Sequence, residues 1–234
     1  PNSIKSYSEE ELDSLRELDY SSLAFELTID FVLGEISVNE YKKICINSYK
    51  RSFGKEIISF DKLDQHKYIA NLFNGPTYAF KDFALQLLGN IYDYILRKRK
   101  IKLTILGATS GDTGSAAIHG CAKSNNVKIF ILFPLNRVSE IQRKQMTTVK
   151  KKNVFNIEVK GNFDDCQRMV KNYFKLNNEN KKVNLAAVNS INWVRIMGQI
   201  VYYFWSYFRV SNRFDPMSFV VPSGNFGNAY AGYI

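Results

Sequence analysis

Leu103-Thr104-Ile105-Leu106-Gly107-Ala108-Thr109-Ser110-Gly111-Asp112-Thr113-Gly114-Ser115 passes from an apolar run into a loop of glycines and hydroxyls. A short apolar run that stops at glycine predicts a buried strand. The small, hydroxylated residues beyond it predict a turn that feeds a helix.

The same order recurs on both sides of this stretch. Residues 68–73, 102–106, 127–133, 155–159, 183–187 and 218–221 are apolar strand candidates. Between them, Phe80, Ala84, Leu87, Leu88, Ile91 and Ile95 follow the helical period, as do Cys166, Met169, Val170, Tyr173 and Phe174. Ile191, Val194, Val201, Phe204, Trp205 and Phe208 do so again. Strands that alternate with amphipathic helices predict an α/β fold with a parallel sheet, because parallel neighbours need a crossover helix between them. Upstream the chain reads as helical. Ser8 with Glu11, and Ser37 with Glu40, have the spacing of a capping box, and Gly34 suits a helix stop. The Asn- and Lys-rich residues 175–182 read as a loop by composition. The expected organisation is a helical region over 1–66, an α/β domain over 67–217, and the start of a further, larger domain over 218–234.

Composition narrows the function classes. A chain of 234 residues with 45% hydrophobic and 23% charged residues can bury a sizeable core. Its longest apolar stretch, 200–208, is too short for a bilayer, and the N-terminus carries no charged leader followed by an apolar run, so a soluble cytoplasmic protein is expected, with no membrane partner. Cys45, Cys121 and Cys166 are widely spaced and odd in number, which suits a reducing compartment. With His66 and His119 as the only histidines, no metal centre is expected. The net charge is +10, yet the basic residues fall in short runs (Arg97-Lys98-Arg99-Lys100, Lys150-Lys151-Lys152, Lys181-Lys182) near helix ends or loops. No nucleic-acid motif accompanies them, so nucleic acid is not an expected partner. A small anionic substrate would be served by the same field.

Ligands of open α/β sheets gather where strands end and helices begin. Three segments have that form. In Asn74-Gly75-Pro76-Thr77-Tyr78-Ala79-Phe80-Lys81-Asp82-Phe83, a Gly-Pro break precedes a lysine in the first turn of a helix. A lysine so placed offers an amine of the kind that Schiff-base chemistry uses. Taken alone, the same position is also that of an ordinary surface lysine. In the quoted stretch, Thr109, Ser110 and Thr113 bring hydroxyls to a helix start, although the Lys-Ser/Thr pair of a nucleotide-binding loop is missing; an ordinary helix cap has the same composition. In Pro222-Ser223-Gly224-Asn225-Phe226-Gly227-Asn228, glycines and asparagines make a nest of amides suited to phosphate, or a plain strand-to-helix turn.

Taken together and in this order, the three segments resemble the threonine synthase family. There a Gly-Pro-Thr-x-x-Phe-Lys-Asp-Phe stretch, an Ala-Thr-Ser-Gly-Asp-Thr-Gly loop and a Pro-Ser-Gly-Asn-Phe-Gly loop occur in register. Asn189-Ser190-Ile191-Asn192-Trp193-Val194-Arg195 is similar to a further run of that family. The resemblance implies a fold-type II pyridoxal 5'-phosphate enzyme with a three-layer parallel sheet and a helical N-terminal region. It implies Lys81 as the catalytic Schiff-base lysine, with Gly224, Asn225, Phe226, Gly227 and Asn228 around the cofactor phosphate and Asp112 facing the ring hydroxyl. Thr109, Ser110 and Thr113 would hold the substrate carboxylate. Asn189, Ser190, Asn192 and Arg195 would hold the substrate phosphate, since a guanidinium fork matches phosphate geometry. The implied reaction turns O-phospho-L-homoserine and water into L-threonine and phosphate. A phospholyase that eliminates phosphate without forming threonine would use the same residues, and a truncated anion-binding fragment is a third reading. The chain opens on Pro1 and stops at Ile234 just past a glycine-rich turn, so a fragment is expected, one lacking the group that faces the pyridine nitrogen in the family.

Overall fold

The computed structural model describes residues 5–180, 183–188, 192–212 and 215–234. Helices α1 (Glu9–Arg16), α2 (Tyr20–Thr28) and α3 (Val38–Tyr49) come first, then strands β1 (Ser59–Lys62) and β2 (Tyr68–Asn71). Next are α4 (Lys81–Arg99), β3 (Leu103–Ala108), α5 (Asp112–Cys121), β4 (Val127–Pro134), α6 (Glu140–Thr147), β5 (Val154–Val159) and α7 (Phe163–Asn180). The chain ends with β6 (Leu185–Ala187), α8 (Trp193–Val210) and α9 (Gly227–Tyr233). It forms two compact units, one of residues 1–87 with 190–234 and one of residues 88–189.

In the first unit, the α1 capping box forms as its spacing predicts: Ser8 N–H donates to Glu11 at 2.9 Å, and Glu11 N–H donates to the Ser8 hydroxyl at 3.2 Å. Ser37 does occupy the N-cap of α3, but its side chain makes no cap bond there, and Glu40 pairs with Lys43 at 2.7 Å instead. An ion pair one turn along competes for the same carboxylate. The core of this unit is aromatic. Tyr20 meets Tyr49 and Trp205 at ring-centroid distances of 5.0 and 5.3 Å, and Phe83 meets Phe53 and Tyr202 at 4.6 and 5.5 Å. Phe83 is fully buried, so it anchors the first turn of α4 against α2, α8 and Phe53 beyond α3.

The second unit holds a parallel sheet in the order β5-β4-β3-β6. Four of the sequence-derived strands fall here, and Leu103 pairs with Val127 through to Ala108 with Leu132. Strand β4 lies on one side of β3 and β6 on the other, so the carboxyl end of β3 is the switch point at which such sheets take ligands. The loop 109–111 leaves from that point.

Three expectations are corrected. Strand β2 pairs antiparallel with β1, which the hydrophobic pattern did not reveal, and not with the parallel sheet. Residues 218–221 form no strand, because a strand exists only through a neighbour's hydrogen bonds and this segment pairs with none among the described residues; Val220 is 98% exposed. Residues 175–180 are not loop but the last turns of α7, and there the Asn180 side chain donates to Leu176 O at 2.9 Å. Lys, Leu and Glu favour helix enough to carry an exposed extension.

Candidate functional site

One carboxylate builds the turn that presents Lys81. Asp82 is fully buried, and its two oxygens accept the Thr77 N–H at 2.7 Å and the Thr77 hydroxyl at 2.8 Å. Gly75 packs on that carboxylate, and a Cβ at this position would lie 2.6 Å from Asp82 Cβ, so only glycine allows the turn to close. Lys81 is then the first residue of α4, half-buried, with Nζ 4.6 Å from the centre of the Phe80 ring. The role of Asp82 was not legible in the sequence. Its only signal was a carboxylate in the first helical turn, which helix starts favour anyway.

The loop after β3 is tied by Thr109. This side chain is 2% exposed, and its hydroxyl accepts the amides of Gly111 at 3.0 Å and Gly114 at 2.9 Å while donating to Gly111 O at 3.2 Å. The hydroxyl is thus spent on the loop. Ser110 is exposed and Thr113 half-buried. Gly111 has φ +146, and a Cβ there would overlap the Gln142 amide. Gln142, from α6, donates to Asp112 Oδ1 and accepts from the Ser139 hydroxyl at 3.0 Å. Sequence reasoning did not find Gln142, since 30 residues separate it from Asp112.

In the first unit, Asn192 caps α8 by accepting the Val194 N–H at 3.0 Å. Arg195, one turn into α8, is 5% exposed, and its Nε has no hydrogen-bond partner among the described residues. Burial pushes its guanidinium pKa below the usual arginine value. A buried charged donor without an acceptor is costly, and it suits an anion. Arg195 O accepts the Gln199 amide at 2.6 Å, and Gln199 Oε1 lies 3.2 Å from the Tyr202 hydroxyl. Tyr202 also donates to Asn228 Oδ1, which takes the Tyr203 hydroxyl at 2.9 Å as well. Tyr202 and Tyr203 of α8 therefore both reach Asn228. Phe226 adopts a left-handed conformation (φ 55, ψ −4) ahead of α9. Among the described residues, no backbone acceptor takes the amides of Gly224, Asn225, Phe226, Gly227 or Asn228. Asn189 and Ser190 lie outside the described residues. No group of His, Cys, Asp and Glu among the described residues could hold a metal ion.

In the first unit, a lysine at a helix start and a run of amides without acceptors among the described residues are groups that suit an aldehyde cofactor bearing a phosphate. Residues 60–234 match the family of pyridoxal-phosphate dependent enzymes, and the chain belongs to that family. The donor set fits the cofactor: an amine for its carbonyl, and the amides of 224–228 for its phosphate. More particularly, the chain is similar along its whole length to threonine synthases. It is 48% identical to that of Pseudomonas aeruginosa over 234 residues, covering 100% of this chain and 50% of the relative. It is 44% identical to that of Saccharomyces cerevisiae over 92% of this chain and 45% of the relative. The crystal structure of pyridoxal-phosphate-bound threonine synthase from Brucella melitensis matches with a TM-score of 0.93 at 40% identity, over 100% of this chain and 50% of that one. The chain thus spans about half the length of these relatives.

Proposed function

We propose that the protein to which this chain belongs converts O-phospho-L-homoserine and water into L-threonine and phosphate. The observation that carries this reading is Lys81 at the first residue of α4, on a turn locked by Asp82, in a chain that matches threonine synthases from end to end. Pyridoxal phosphate, when bound, supplies an electron sink that makes the substrate Cα proton removable. Lys81 would hold the cofactor through its amine and, once freed by substrate, would move protons at the substrate Cα and Cβ. The amides of Gly224, Asn225, Phe226, Gly227 and Asn228 would hold the cofactor phosphate, and Asp112, steadied by Gln142, would serve the ring hydroxyl.

Ser110 and Thr113 hold the substrate carboxylate. Thr109 positions their loop and does not touch the ligand, because its hydroxyl is already used. Arg195, with Asn189, Ser190 and Asn192, holds the substrate phosphate, and that anion gives the buried guanidinium the partner it needs. Removal of a Cβ proton lets phosphate leave Cγ; a proton is then delivered to Cγ, and water adds at Cβ as a proton returns to Cα. A cytoplasmic location belongs to the same reading, supported by three free, buried thiols. So does the division into a helical region 1–66, an α/β domain 67–217 and a further domain beginning at 218.

The test uses the full-length protein. Absorbance should show a cofactor band that Lys81→Ala abolishes, and O-phosphohomoserine should yield threonine and phosphate in equal amounts. A keto acid in place of threonine would refute the assignment.

A further inference from the structure

The hydroxyls of Tyr202 and Tyr203, adjacent in α8, converge on a single atom, Asn228 Oδ1, at the start of α9. Tyr202 is 3% and Tyr203 9% exposed, and Tyr203 also reaches the Asn228 carbonyl at 2.9 Å. Each phenol can donate one proton. Gln199 Oε1, 3.2 Å from Tyr202, is the more distant of the two oxygens available to that hydroxyl, so its proton goes to Asn228. With Oδ1 held from two sides, the NH2 end of the Asn228 amide faces away from α8. Reversing the amide would make both hydroxyls acceptors and turn Oδ1, an acceptor, outward in place of the NH2. Burial raises the pKa of both phenols, that of Tyr203 to about 12, so both protons stay in place throughout the working pH range.

We infer that Tyr202 and Tyr203 are positioning residues for the cofactor phosphate: they clamp Asn228 so that its NH2, and the amide run that ends at it, present donors outward in a fixed direction. This rests on the reading of 224–228 as the phosphate cradle. The clamp lies on the same helix as Arg195, so the phenols that hold Asn228 and the proposed substrate-phosphate group share one rigid element. A phosphate held by fixed donors pays no ordering cost when it binds, and that saving appears as affinity.

The experiment measures the dissociation constant of pyridoxal phosphate on the full-length protein by fluorescence titration, with the 31P signal of the bound cofactor as a second readout. The variants are Tyr202→Phe, Tyr203→Phe, their combination, Asn228→Ala and the triple variant. Phenylalanine keeps the rings in place, and circular dichroism of each variant verifies the fold. The paired Tyr→Phe change should weaken binding about tenfold and shift the 31P line, and Asn228→Ala should weaken it comparably. The triple variant should bind no worse than Asn228→Ala, because the phenols act only through that side chain. If Asn228→Ala weakens binding and the paired Tyr→Phe change does not, the clamp is refuted while the cradle stands. Losses that add in the triple variant refute it too, by showing that the phenols act elsewhere. Unchanged affinity in Asn228→Ala refutes the cradle reading itself.

Discussion

Asp82→Asn tests the locked turn, and the structure sets its size. The Asp82 carboxylate is fully buried and accepts two hydrogen bonds from Thr77, one on each oxygen. Asparagine keeps the shape but has one acceptor. Its NH2 must face either the Thr77 N–H, donor against donor, or the Thr77 hydroxyl, which can turn to accept. The relaxed variant therefore keeps the amide bond and surrenders the charge on it. A hydrogen bond to a charged group contributes about 1.5–3 kcal/mol and a neutral one about 1 kcal/mol, so two such downgrades cost about 1–4 kcal/mol. Thr77→Val removes only the hydroxyl and should cost about 1–2 kcal/mol. Urea denaturation of the full chain, read as a shift of midpoint at constant slope, measures both. Lys81 sits one residue from the carboxylate, so the lysine-dependent cofactor band should weaken in parallel. Stability within about 0.5 kcal/mol of the parent in Asp82→Asn, with the band intact, would show that the turn holds itself and that the carboxylate is incidental.

Gly89→Ala sets helix propensity against packing. Propensity favours alanine by about 1 kcal/mol, but a Cβ there would overlap the Gly120 carbonyl, so a net loss of about 1–3 kcal/mol is expected in the same urea assay. Thr109→Val is nearly isosteric and strips the acceptor from two buried amides; a loss of about 1–3 kcal/mol is expected, together with a higher KM for substrate. Burial raises the Cys45 and Cys121 thiols from 9.0 to about 12, so an aromatic disulfide reagent at neutral pH should leave the native thiols unmodified and react with three after denaturation. Because these folded-state values are raised, their stabilisation is present below pH 9.0 and is lost as pH climbs to about 12; a melting temperature that fails to drop over that window would contradict it.

Much of the second unit was legible because its signals are local. An apolar run between glycines reads as strand whatever surrounds it, and residues 103–108, 127–134 and 154–159 are strands in the sheet. Residues 218–221 carry the same signal and form no strand, since pairing is a property of neighbours and not of the run itself. Strand β1, short and mostly polar, gave no signal at all, and neither did its antiparallel pairing with β2. Ser37 and Glu40 had the right spacing for a capping box, but Lys43 claimed the carboxylate.

The candidate site divides in the same way. By itself the sequence determined which residue types stand at the strand ends and helix starts, because those depend on spacing within a few residues: Lys81 opening α4, the hydroxyls of 109–113, the amides of 224–228. Only the tertiary structure decided which of their polar atoms are free to meet a ligand. Thr109 looks like its neighbours Ser110 and Thr113, yet its hydroxyl is spent on Gly111 and Gly114. Asn228 is held by tyrosines 25 and 26 residues away, and Asp112 by a glutamine 30 residues away. A hydrogen bond is satisfied by whatever partner folding brings within reach. That assignment is written in three dimensions and leaves no trace in local spacing.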